Sequence, residues 1–118
     1  MGYDTKFEGE FRLDRPLAAE HSAILQRFAD DSHNDTDYPV IWCQWVPSAD
    51  GQALVWDQGE KFYDYVDWLK YLLTHYLIPW GYVLNGEVLW NGEAPGDIGK
   101  ITVTNNAVRS QEGRIVFD

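Results

Sequence analysis

Tyr82-Val83-Leu84-Asn85-Gly86-Glu87-Val88-Leu89-Trp90-Asn91 admits two readings, and the choice between them decides the fold. Asn85-Gly86 is the strongest short hairpin signal a sequence can carry. Against it, Tyr82, Leu84, Gly86, Val88 and Trp90 alternate without a break with Val83, Asn85, Glu87, Leu89 and Asn91. The two arms of a hairpin here would also be very short. Alternation that runs straight through the glycine predicts one continuous strand with one buried and one wet face.

The same pattern opens the chain. Tyr3, Thr5, Phe7, Gly9, Phe11 and Leu13 share one face, and Asp4, Lys6, Glu8, Glu10, Arg12 and Asp14 the other. Pro16 then stands where a first helical turn tolerates proline. Leu17, His21, Ile24, Leu25 and Phe28 recur at helical spacing up to about Ala29. The apolar run Val40 to Val46, closed by Pro47, reads as a buried strand. Ser48-Ala49-Asp50-Gly51 is turn chemistry and Ala53 to Trp56 the returning strand. A long helix is expected from about Lys61 to Leu77, stopped by Pro79 and Gly81. Ile98 to Thr104, a tight turn at Asn105-Asn106 and a weaker strand from Val108 complete the chain.

The predicted order is therefore β-α-β-β-α-β-β-β in a single domain spanning residues 1–118. Two amphipathic helices on one face of an antiparallel sheet make an α+β two-layer sandwich, a ferredoxin-like variant with extra terminal strands. Its first and fourth strands are neighbours, which brings Gly9 and Gly86 together on the helix-facing side. Glycines inside strands mark places where something bulky presses on the sheet. An aromatic from the long helix, or a ligand, would fill that space.

Nineteen acids against nine bases give a formal charge of −10, which argues against direct nucleic-acid binding. No apolar run is long enough to span a membrane, and the N-terminus lacks a signal-peptide pattern. A lone cysteine suits a reducing cytoplasm.

Trp42-Cys43-Gln44-Trp45-Val46-Pro47, Val55-Trp56-Asp57 and Gly59-Glu60-Lys61-Phe62-Tyr63 resemble a family of small proteins of bacterial and phage genomes. Gly2-Tyr3, Thr5, Phe7 and Gly9 fit the start of that pattern. Leu84-Asn85-Gly86, Trp90, Gly92-Glu93 and Asp97 fit its end. The resemblance implies an accessory protein and carries no established activity and no catalytic residue. Gln58 stands where the pattern leads one to expect glycine.

The chemistry-bearing residues are sparse. Asp31, His33, Asp35 and Asp37 have the opening spacing of a calcium loop, but Thr36 and Trp42 stand where glycine and glutamate are required. No paired histidine or cysteine spacing gives a zinc site, and no cofactor fingerprint is present, so neither metal nor cofactor is expected. His21 falls on an apolar stripe and reads as a core histidine. Cys43 reads as an inert core thiol, because a strand interior supplies no positive charge to stabilise a thiolate. Asp57, Glu60, Asp64, Glu87, Glu93 and Asp97 could supply a carboxylate pair to a small hydrolase.

Projected as a straight α-helix, the long helix centres its apolar arc on Phe62, Val66, Leu69, Leu73, Tyr76 and Leu77. Trp68 falls at its margin, and Tyr71 and His75 lie beyond it beside Asp64 and Asp67. Aromatic residues on the wet side of a helix are interface material. The expected binding residues are therefore Trp68, Tyr71, His75, Asp64 and Asp67. They would serve a small acidic, non-enzymatic binding protein that engages a host protein with a basic surface, one form being modulation of a host defence system. A nucleotide or small-molecule sponge is the alternative, with a carboxylate hydrolase behind it, and self-association stays open.

Overall fold

A computed structural model of the chain describes residues 3–33 and 42–114. Its elements are β1 (Thr5–Leu13), α1 (Ala19–Asp30), β2 (Trp45–Pro47), β3 (Ala53–Trp56) and α2 (Tyr65–Leu72). The helix α2 runs on through a π-helical turn (Leu73–Leu77) into a last short turn, α3 (Ile78–Trp80). Three strands follow, β4 (Leu84–Gly92), β5 (Ile98–Thr104) and β6 (Ala107–Glu112).

The six described strands form one antiparallel sheet in the order β2-β3-β1-β4-β5-β6. The β5–β6 hairpin extends the sheet beyond β4, so the arrangement is an α+β variant and not strictly ferredoxin-like. β1 and β4 pair along their whole length, from Thr5 opposite Gly92 to Leu13 opposite Leu84. The alternation read through Asn85-Gly86 is thus one strand. Asn85 serves a different turn: its Oδ1 accepts the Asn105 N–H at 2.8 Å. The hairpin itself is made by Asn105 and Asn106, whose φ values of 47° and 70° are those a two-residue type I′ turn requires.

One face of the sheet is buried by Phe7, Phe11, Leu13, Leu84, Val88, Trp90, Ile101 and Val103. Both helices cover that face and meet at Phe28 of α1, whose ring lies 5.5 Å from those of Trp68 and Tyr71. Phe7 is ringed edge-on by Trp45, Trp56, Phe62 and Tyr65 at 5.0–5.7 Å. Leu69 and Leu73 are buried as the periodicity requires. Ile24, expected in the core, is instead 43% exposed on the outer side of α1.

Two boundaries differ from the sequence pattern for local reasons. α1 starts at Ala19, past Pro16, because the Tyr82 hydroxyl accepts the Ala18 N–H at 2.9 Å and holds the incoming chain. β2 is confined to Trp45–Pro47, while Val40 and Ile41 lie outside the described residues. Just before it, Gln44 is buried and turned to other work. Its Nε2 donates to the Glu60 carbonyl at 2.7 Å, and its Oε1 accepts Trp56 Nε1–H at 3.1 Å. Pro47 sits inside β2, which tolerates it as an edge strand.

Candidate functional site

The helix carrying the expected stripe begins at Tyr65, not at about Lys61. Ahead of it Gln58, Lys61 and Asp64 all adopt positive φ, at 66°, 58° and 51°, so the chain twists into the helix. Gln58 thus takes the left-handed backbone that the expected glycine would have taken without strain. Phe62 and Tyr63 belong to this loop, and removing them from the helical projection turns the apolar arc toward Trp68. Trp68 is fully buried beneath α1, with its ring edge-on to Phe28. Its expected place on an exposed stripe is corrected accordingly.

A second displacement comes from the π-helical turn. Pro79 has no N–H for the His75 carbonyl, and its ring would crowd that oxygen in a regular helix. The wider turn just before it opens the backbone there and rotates the residues that follow. Tyr76, central in a straight projection, emerges half-buried beside Phe28, with ring centroids 5.5 Å apart.

Tyr71 and His75 come together on the outer side of the helix layer. Their rings stack at 4.0 Å and 28°, and Tyr71 lies nearly parallel to Phe28 at 5.5 Å and 13°. His75 is exposed, Tyr71 half-buried, and Asp64 and Asp67 are exposed. Alongside, Ile24, Phe28 and Tyr76 line a groove of about 480 Å³ flanked by Glu20, Arg27 and Asp31. Helical periodicity misses Ile24 and Tyr76 as surface residues because both match the apolar stripe.

Four of the six carboxylates offered for hydrolysis, Asp57, Glu87, Glu93 and Asp97, have structural duties. Asp97 accepts the Tyr3 O–H at 2.5 Å and the Trp90 Nε1–H at 3.2 Å. That first bond raises the pKa of Tyr3 above the usual phenol value. Glu93 accepts the Asp4 N–H at 2.8 Å, Asp57 the Gly59 N–H at 2.7 Å, and Glu87 pairs with Lys100 at 3.2 Å. Burial raises the Asp57 carboxyl above its ordinary range. The Tyr3 N–H donates to the Tyr63 hydroxyl at 3.0 Å, and the Lys61 N–H to Asp4 at 2.9 Å. The chain start, the approach to α2 and the β4–β5 loop therefore meet in one corner, where these bonds tie β1 to the other two.

His21 is half-buried, stacked on Trp80 at 3.8 Å and 5°, with Nδ1 2.9 Å from the Tyr82 hydroxyl. Of the calcium-like loop, Asp35 and Asp37 lie outside the described residues, and His33 Nε2 lies 2.7 Å from the Phe28 carbonyl. Among the described residues, no three His, Cys, Asp or Glu side chains are grouped to hold a metal. No helix among them is long and apolar enough to cross a membrane. Cys43 is buried, and loss of solvation pushes its thiol up to about 12. Iodoacetamide should leave native Cys43 unmodified and label it once urea unfolds the chain. Fast labelling in native buffer would contradict this burial.

The space expected over Gly9 and Gly86 has another explanation. Gly9 has φ 111°, and a Cβ there would stand 2.5 Å from the Glu87 carbonyl oxygen. Gly86 has φ 148°, and its Cβ would stand 2.6 Å from the Glu10 oxygen. What a Cβ at each glycine would meet first is the backbone of the paired strand. Comparison with family models, curated proteins and solved structures returns no match, so the functional reading rests on this geometry.

Proposed function

We propose that the chain is a non-catalytic binding module of bacterial or phage accessory type that grips a protein partner through the outer side of its helix layer. The observation carrying this reading is the Tyr71–His75 stack at 4.0 Å, built on Phe28 before any partner arrives. A ledge already ordered in the free protein loses little side-chain entropy on binding, and a tyrosine supplies large contact area. Exposed Asp67 lies one helical turn before Tyr71 and exposed Asp64 at the helix start. The net charge of −10 favours a partner with a basic surface, such as a host defence protein in the cytoplasm. Trp68 supports the ledge from inside and makes no contact with the partner.

Charge and ring have separable effects. Tyr71→Ala and His75→Ala should speed dissociation, Tyr71→Ala costing about 2 kcal/mol or more of affinity. Asp64→Asn keeps a residue that tolerates the left-handed backbone while removing the charge. It should slow association and flatten its salt dependence. Stopped-flow kinetics on the complex recovered from bacterial cells would separate the two. Wild-type dissociation rates in both ring variants would overturn the reading.

A further inference from the structure

Three of the chain's nine Lys and Arg residues, Lys6, Lys100 and Arg114, surround one concavity of about 530 Å³ on the sheet face opposite the helices. The strand registers explain the clustering. Lys6, Asn91 and Ile98 form one row across β1, β4 and β5. Glu8, Leu89, Lys100 and Gln111 form the next. Lys6, Glu8, Leu89, Asn91 and Lys100 alternate with the buried Phe7, Val88, Trp90 and Ile101, and the register puts Ile98 and Gln111 on the same open face. Beyond β6 the Gly113 N–H donates to the Ile98 carbonyl at 2.8 Å, keeping the chain against β5 and setting Arg114 at the rim.

The floor is aliphatic. Leu89 is 49% exposed on the open face, and Ile98 is its diagonal neighbour on β5. Among the described residues Lys6 and Arg114 make no ion pair, while Lys100 reaches Glu87 at 3.2 Å. The concavity has the size of a small-molecule site, an apolar base with a few polar groups at its edge.

We propose that this concavity binds an organic monoanion with an aliphatic body, a medium-chain carboxylate. Leu89 and Ile98 would take the hydrocarbon, and Lys6 and Arg114 the carboxylate. The charge balance selects a single negative charge. Glu112 lies opposite Gly99 and so faces the helices. On the open face Lys6, Lys100 and Arg114 against Glu8 and Glu87 leave one net positive charge, too little for a nucleotide's phosphates on a chain of net −10. Base stacking is also unsupported. Trp90, the aromatic residue at the concavity, is buried, and its Nε1 is committed to Asp97.

Titration of the ¹⁵N-labelled chain with octanoate tests this. Amide shifts should centre on Leu89, Ile98 and Lys100 and saturate with Kd below about 1 mM. Octanol should bind about tenfold more weakly and acetate produce no saturable shift. Leu89→Glu should abolish octanoate binding. A Lys6→Gln/Arg114→Gln chain should lose about tenfold for octanoate and nothing for octanol. These residues are surface groups, and a dispersed spectrum of each variant verifies folding. Absence of saturable shifts, an unchanged response in Leu89→Glu, or equal affinity for octanol and octanoate would overturn the proposal.

Discussion

Trp68→Ala will lower the unfolding free energy by about 3–5 kcal/mol, the range for truncating a fully buried tryptophan. Trp68 has no exposed surface, and its indole meets Phe28 at 5.5 Å and Tyr71 at 5.6 Å, both edge-on. Truncation would leave a cavity beneath α1 and remove the seat of the Tyr71 ring as well. Urea melts should show a lower midpoint with an unchanged slope. A loss below about 1 kcal/mol would place the indole outside the core, since large losses on truncation mark buried packing.

The second large effect concerns the two strand glycines. Gly9 and Gly86 flank the Glu10–Glu87 pair, one on each strand, and each would drive a Cβ toward the carbonyl of the opposite glutamate. Their positive φ values allow β1 and β4 to coil tightly at this point. Gly9→Ala should therefore cost at least about 2 kcal/mol, backbone strain of about 1–3 adding to steric overlap. Gly86→Ala should behave alike. The double variant should cost less than the sum of the two, because strands that separate for one methyl group make room for the other. A Gly9→Ala protein within about 0.5 kcal/mol of wild type, the range of ordinary surface substitutions, would contradict this.

Where side-chain alternation was long, the sequence was decisive. The nine-residue pairing of Thr5–Leu13 with Leu84–Gly92 follows from period 2, and so does the choice of one strand over a hairpin at Asn85-Gly86. The Asn105-Asn106 turn was legible from residue type. Features created by tertiary partners were not. Gln44 is drawn to the Glu60 carbonyl and β2 shortens; the Tyr82 hydroxyl decides where α1 starts. The helix stripe failed at both ends. Phe62 is apolar but sits in a loop of left-handed residues, and the π-turn before Pro79 shifts the phase for Tyr76. Gln58 gave one usable hint, since the missing glycine coincides with a φ of 66°. Of the five expected binding residues, periodicity set Tyr71 and His75 side by side correctly, but it could not reveal that α1 lies over Trp68.

Native mass spectrometry of the tagged chain purified from bacterial cells tests the binding-module account most directly. Wild-type protein should retain a protein partner as a discrete additional mass. The same complex should be lost from Tyr71→Ala and His75→Ala, and should persist in Leu89→Glu, whose substitution lies on the opposite face. A partner retained equally by all four proteins, or bare chain in every spectrum, would contradict recognition through the Tyr71–His75 ledge.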